Sequence, residues 1–346
     1  MSSFMRTSRR ALLSAGTVAG AGLALGACSS KAASATTTSS AAPSSSAGGS
    51  TASNGSNGAN ASSSASTSGP VPTIDELKPL ASSFTQSSYS DSETGKSLPF
   101  NIFLPEGYDA SGSYPLVHFI ADASLVGGEV TAPLSQYGAL IWAHRVTQDL
   151  HKCVVVVPCY PEVVLDDHDG YTTTDWMDVT RRFVPWLQQQ YAIDSSRVYG
   201  TGQSMGCMMH MVMAAQDPTM FSACMFVDGQ WDPTQLTGLG SATWVYQVAG
   251  GDDRAFAGQQ AVKEMLTSAG VDFAVAPQEW DATASASELD EQTKALFSQG
   301  KARNFSVFKA GTVMEANPTA RMEHIASFEP AYKLTGMRTW LLDQRK

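Results

Sequence analysis

The sequence predicts an α/β fold, a mostly parallel central sheet with helices on both faces, and three observations point to it. Short apolar runs alternate with helical patterns between residues 71 and 346, as layered α/β domains require. The run Val198-Tyr199-Gly200-Thr201-Gly202-Gln203-Ser204-Met205-Gly206-Cys207 carries an apolar strand through G-x-S-x-G into an apolar helix. The segment, roughly 276 residues, is long enough to bury one core under two helical layers.

Residues 1–27 hold Ser8-Arg9-Arg10-Ala11-Leu12-Leu13 and then small apolar residues up to Leu25-Gly26-Ala27-Cys28. The stretch is too short and too rich in glycine and alanine for a stable membrane span, so it reads as a cleavable export signal. Its ending resembles a bacterial lipobox, which implies acylation of Cys28 and anchoring to the outer face of the cell membrane; a plain secretory signal with a chance cysteine is the alternative. The paired arginines resemble a twin-arginine signal, but Leu12 and Ser14 stand where phenylalanine and lysine are commonest, so the export route stays open. Residues 28–70, after the cysteine, are mostly serine, alanine, threonine, glycine and asparagine, with no aromatic or acidic residue. Such a segment cannot bury enough apolar surface to offset its ordering entropy and reads as a disordered tether, with an average reach of about 35 Å.

Within the folded segment 71–346, strands are expected at Phe100–Leu104, Leu116–Ile120, Val154–Pro158, Arg197–Gly200, Cys224–Val227, Trp244–Val248, Phe273–Ala276 and Phe305–Lys309. Helices fill most of the gaps, and no internal repeat is evident. Asp194-Ser195-Ser196-Arg197 is a turn before the fourth strand, and Met205 to Ala215 is apolar on all sides, as a helix packed into a core should be. In that context G-x-S-x-G is a nucleophile elbow with Ser204 raised above the sheet edge. The plain alternative is a serine N-cap, which does not require the two glycines.

An acid and a histidine should follow the serine. The strand at Trp244 ends in Gly250-Gly251-Asp252-Asp253-Arg254, so a carboxylate lies at the carboxyl end of a strand, where open α/β sheets put their chemistry. Asp252 is the first candidate and Asp253 the second, whichever is spare capping the next helix. Of the six histidines, His118 lies within a strand, His144 and His151 follow helical patterns and His210 sits on the buried helix, so these four read as structural. His168 belongs to Asp166-Asp167-His168-Asp169, whose spacing matches no metal signature and reads as a solvated loop. His324, in a loop between the strand at Phe305 and the final helix, is the candidate base. Oxyanion donors are expected at the Met205 amide and in the loop Ala121-Asp122-Ala123-Ser124, where His-Gly is common in hydrolases. Asp122 there could reshape the pocket or repel anionic substrates.

With their neighbours these residues resemble the polyhydroxybutyrate-depolymerase-like and feruloyl-esterase-like α/β hydrolases. The resemblance rests on Tyr199-Gly200-Thr201-Gly202-Gln203-Ser204-Met205-Gly206, on Gly251-Asp252-Asp253-Arg254-Ala255, on His324 to Tyr332 and on Thr339 to Gln344, and covers residues 95–346. It implies a triad of Ser204, Asp252 and His324 and ester rather than amide hydrolysis. Two departures stand out, at Ala121-Asp122 and in Gly-Asp-Asp where Gly-x-x-Asp is commoner. The other readings are a peptidase or amidase with the same triad and a cell-surface binding lipoprotein without turnover.

The net charge is −10, and loss of the three arginines of residues 1–27 takes it to about −13, which excludes nucleic acid as an expected partner. The expected partner is a small-molecule or polymer-linked ester. No cofactor and no metal is required, because a triad supplies both nucleophile and proton transfer. Cys153 and Cys159 flank one strand, while Cys207 and Cys224 could bridge or remain buried thiols. Trp231, after the strand that follows the elbow helix, would either wall the substrate pocket or seal its loop onto the core.

Overall fold

In the computed structural model, which describes residues 71–168 and 170–346, nine strands form one sheet. The export signal, Cys28, the tether and Asp169 lie outside the described residues. In chain order the strands are β1 (Thr85–Ser90), β2 (Ser97–Phe103), β3 (Tyr114–Ile120), β4 (Val154–Pro158), the small hairpin β5 (Leu165–Asp166) and β6 (Thr172–Thr173), β7 (Ile193–Gln203), β8 (Ala223–Val227), β9 (Trp244–Ala249), β10 (Ala274–Val275) and β11 (Arg303–Phe308). Their order across the main sheet is β1-β2-β4-β3-β7-β8-β9-β11-β10. From β4 to β10 every pairing is parallel; β2 runs antiparallel to β4 and β1 antiparallel to β2. This is the mostly parallel α/β-hydrolase architecture that the sequence predicts.

Each of the eight expected strands is present. The last edge is shorter than expected, since β10 keeps only two of the residues Phe273–Ala276. The sequence reading misses β1, Thr-Gln-Ser-Ser-Tyr-Ser, which buries only Tyr89 and covers the polar edge of β2.

Alternation along the strands feeds two cores. Leu116 and Ile120 of β3, with Val154 and Val156 of β4, face one side, where Phe183, Met209 and Met213 pack. Val117 and Phe119, with Val155 and Val157, face the other, against Trp142, Tyr332 and Leu341. Burying each such side chain stabilises the fold by about 1.5–3 kcal/mol. Helices Asp175–Gln190, Met205–Gln216 and Asp253–Ser268 supply the first layer, and Ala286–Phe297 and Thr335–Asp343 the second. Helix Met205–Gln216 is buried from Met205 through Ala214, which explains why its sequence is apolar on every side. Cys153, Cys159, Cys207 and Cys224 are all free and buried, so no Cys207–Cys224 bridge forms. Among the described residues no helix is long and apolar enough to cross a membrane.

Candidate active site

Parallel strands deliver their carboxyl ends to one edge of the sheet, and the candidate residues gather there. Ser204 follows β7 with φ +50° and ψ −116°, in the left-handed half of backbone space that a non-glycine residue occupies only when its surroundings hold it. The Ser204 amide donates to the Val227 carbonyl at 3.1 Å. Gly202 and Gly206 let the turn close, because a Cβ on either would collide with the Ile120 carbonyl oxygen at the end of β3. A serine serving only as an N-cap would need neither the strain nor this approach, and Ser204 makes no side-chain cap bond.

His324 lies in the short helix Glu323–Ala326 after β11. Its Nε2 is 2.9 Å from Ser204 Oγ and its Nδ1 is 2.6 Å from Asp252 Oδ2. The Phe328 ring meets the imidazole edge-on at 5.0 Å, and Ser327 Oγ donates to the His324 carbonyl at 2.8 Å. Asp252 ends the turn after β9 and also caps the helix Asp253–Ser268, its Oδ1 accepting from the Arg254 and Ala255 amides at 3.1 and 3.2 Å. Capping and facing the histidine, posed as alternatives by the sequence, are met by the two oxygens of one carboxylate. Asp253 begins that helix, and its side chain lies outside the described residues.

A second carboxylate reaches the same nitrogen. Asp228, directly after β8, holds Oδ2 3.1 Å from His324 Nδ1 and accepts the Ala249 amide on Oδ1 at 2.7 Å. The sequence reading passes over it, although the rule that selects Asp252, an acid at the carboxyl end of a parallel strand, selects Asp228 equally. Burial pushes the Asp228 carboxyl up to about 6. Burial also raises Asp252, but its bond to His324, the imidazolium charge and the Ala255 amide outweigh that and hold it below the usual carboxylate value. For His324, burial pulls downward and the two carboxylates prevail, raising the imidazole to about 10.

The Met205 amide is the first of its helix and has no partner within it. Met205, Ala121 and Asp122 line one small cleft together with Leu125, Val126 and Tyr160. Asp122 points back into its own scaffold: Oδ1 accepts the Ser124 amide at 2.9 Å, and Oδ2 accepts from Gln203 at 3.1 Å and from Gln136. The carboxylate thus ties the loop to the residue before Ser204.

Trp231 is fully buried, donates Nε1–H to Gln235 Oε1 at 3.1 Å and packs edge-on against Tyr171. Its burial fits the second of the two places the sequence leaves open for it, sealing its loop onto the core. His118 and His210 are buried and joined through Nδ1 and Nε2 at 3.0 Å, with His210 Nδ1 against the Gly206 carbonyl at 2.7 Å, so they support the elbow from beneath. His168 sits 2.8 Å from Asp167, and Arg254 bonds both.

Among the described residues, two groups could hold a metal ion by proximity, Asp166, Asp167, His168 and Asp228, Asp252, His324. Arg254 bonds Asp167 and His168 of the first, and the second is the pair of carboxylates facing His324 Nδ1.

The chain matches the family model described as "Putative esterase" over residues 91–314, a stretch that includes Ser204, Asp228 and Asp252 and stops short of His324. Acetylxylan esterase A of Emericella nidulans is 39% identical over 74 residues, 17% of this chain and 24% of that protein, so the match spans about a quarter of that relative. Among solved structures, a thermostable esterase superposes with a TM-score of 0.62 at 19% identity, covering 78% of this chain and 64% of its own, just under two thirds. A ferulic acid esterase from Anaeromyces mucronatus superposes with a TM-score of 0.47 at 11% identity over 74% of this chain and 91% of its own. The likeness to the thermostable esterase is one of fold.

Proposed function

This chain belongs to the esterase family whose model it matches, and from that premise we propose that it cleaves carboxylic esters through Ser204, His324 and Asp252 by way of an acyl-enzyme. The observation that carries the reading is one imidazole bonded on both sides, to Ser204 Oγ at 2.9 Å and to Asp252 Oδ2 at 2.6 Å, beneath a strained elbow.

In the first half-reaction Ser204 Oγ attacks the ester carbonyl carbon while His324 Nε2 takes its proton, then returns that proton to the departing alcohol. Asp252 keeps the Nδ1–H tautomer and offsets the imidazolium charge. Water, deprotonated by the same Nε2, then attacks the acyl-enzyme and releases the carboxylic acid. The oxyanion formed in each half is met by the Met205 amide and an amide of the Ala121-Asp122 loop, such donors being worth about 3–4 kcal/mol apiece. The cleft beside these donors is small and lined by Leu125, Val126, Pro133 and Tyr160, an apolar surface that suits a short acyl group.

The amino-terminal segment supports a further part of this reading: an exported lipoprotein, acylated at Cys28, with the tether 28–70 carrying a catalytic domain 71–346.

Hydrolysis of p-nitrophenyl esters from acetate to octanoate by the full chain, beside Ser204→Ala, tests the activity. Acetate should be turned over fastest, with rates falling as the acyl chain lengthens, and Ser204→Ala should lose about 10⁴-fold or more in kcat. Equal rates in the folded Ser204→Ala protein would sink the serine mechanism. Peptide cleavage without ester cleavage would sink the ester assignment.

A further inference from the structure

The imidazole of His324 is oriented from two directions. Asp252 and Asp228 come from the ends of adjacent strands, β9 and β8, and both direct Oδ2 at the same Nδ1, at 2.6 and 3.1 Å. Asp228 is an expensive residue to keep there. It is wholly buried, its backbone is left-handed at φ +49°, and it is an acid where an amide or hydroxyl could equally accept the Ala249 amide.

Its position is tightly determined. The Asp228 amide donates to the Gln247 carbonyl at 2.9 Å, fastening the turn to β9. Gly229, next in the chain, lies so close to the elbow that a Cβ would stand 2.8 Å from the Ser204 carbonyl oxygen and 2.9 Å from Cys207 Cβ. One Asp228 oxygen is therefore occupied by the backbone beside Asp252, and the other is aimed at the histidine. A turn that only needed an acceptor for Ala249 has no use for the second oxygen.

Resting on the esterase reading above, we propose that Asp228 is a second positioning carboxylate, which with Asp252 holds His324 Nδ1–H so that the loss of either acid leaves the ring oriented. In a triad with one acid, replacing it by asparagine favours the wrong imidazole tautomer and costs about 10⁴-fold in kcat. Here the remaining acid still accepts Nδ1–H and keeps Nε2 free to take the serine proton.

The second acid also changes the response to pH. The titratable groups facing the imidazole are Asp228 and Asp252; behind Asp228 lie Cys207 and Tyr246, which burial keeps uncharged through the neutral range, and Glu323 turns away to bond the Gly311 amide. His324 acts as a base only when neutral, so kcat/KM rises with pH as the imidazolium loses its proton. With the imidazole raised to about 10 and Asp228 to about 6, Asp228 is ionised throughout that rise. Removing its charge lowers the basicity of His324 and moves the acid limb to lower pH. A residue that only shaped the turn would change the rate and leave the limb in place.

The test is kcat/KM against pH for the full-length wild type, Asp252→Asn, Asp228→Asn, the double variant and His324→Ala on p-nitrophenyl acetate. Each single variant should keep activity well above His324→Ala, with Asp252→Asn losing about 10–100-fold, and the double variant should fall to the His324→Ala level, about 10⁴-fold below wild type. The acid limb of Asp228→Asn should lie below that of the wild type. Loss in Asp252→Asn alone as deep as in His324→Ala overturns the proposal, and this holds even if Asp228→Asn fails to fold. A double variant no worse than Asp252→Asn, or an unmoved limb in Asp228→Asn, overturns it too. Unchanged turnover by Ser204→Ala would instead defeat the esterase reading on which it rests.

Discussion

At the scale of single residues, Asp122 is a side chain outside the proposed reacting atoms that is bonded to their support. Its three bonds, to the Ser124 amide, Gln203 and Gln136, fix the loop proposed to supply an oxyanion donor to the base of the elbow. Replacing it by alanine frees the loop without removing either backbone donor. Asp122→Ala should therefore lower kcat by about tenfold, less than the 10²–10³ of a lost donor, with KM little changed, on neutral and anionic esters alike. Steady-state kinetics on a neutral acetate ester and one bearing a carboxylate provide the check. A fall in KM confined to the anionic ester would assign the side chain to charge repulsion instead. Ser204 and His324 are legible in the sequence because their signals are local: two glycines around a serine, and a histidine in the loop before the last helix. Asp228 satisfies the same strand-end rule as Asp252, but Val227-Asp228-Gly229 carries no further local signal, and its 3.1 Å approach to a residue 96 positions away is visible only in the fold.

At the scale of elements, the legible strands are those whose apolar residues meet helices on both faces of the sheet. β4, Val-Val-Val-Val-Pro, is buried at every position, whereas β1 exposes all but one of its residues and leaves no hydrophobic signature. What holds β1 and β2 to the rest is partly electrostatic. Asp91, in the turn between them, is buried and takes a bidentate contact from Arg182 of helix Asp175–Gln190, Nε at 2.7 Å and Nη2 at 2.8 Å. The guanidinium beside it, assisted by Thr94 and Tyr89, holds the Asp91 carboxyl far below the usual carboxylate range despite its burial. A depressed folded-state value stabilises the fold above the unfolded pKa of about 3.9 and loses that effect as pH falls. Arg182→Met should cost about 2–3 kcal/mol at pH 7, a little under the 3–5 kcal/mol of a fully buried pair because Arg182 is partly exposed. The deficit should shrink below about pH 4, because the unpaired Asp91 of the variant takes up a proton there while that of the wild type stays charged. Urea unfolding at pH 7 and pH 3 measures both, and a deficit equal at the two values would remove the ion pair from the explanation.

At the scale of the whole molecule, seven strands running one way bring the ends of β3, β7, β8 and β9 to a common edge, and the loop after β11 returns His324 to it. Ala121, Ser204, Asp228 and Asp252 thus meet although 131 positions separate the first from the last. The described residues of both cores run from Leu77 to Leu342, and the domain is fastened at its start by the Thr73–Glu76 capping box and by Tyr137 donating to the Pro72 carbonyl at 3.0 Å. A chain beginning at Val71 therefore holds every residue of the proposed triad and oxyanion loop. Its kcat/KM should match that of the full chain within about twofold, since the deletion removes none of these bonds. The two forms should differ in where they reside: the full chain, expressed in a bacterium, should enter the detergent phase on partitioning, and both Cys28→Ala and the chain beginning at Val71 should stay aqueous, because stable anchoring needs the acyl chains. Partition of Cys28→Ala into detergent would reject acylation at that cysteine while leaving the esterase intact. Loss of turnover in a folded chain beginning at Val71 would do the reverse, assigning residues 1–70 a part in the site itself.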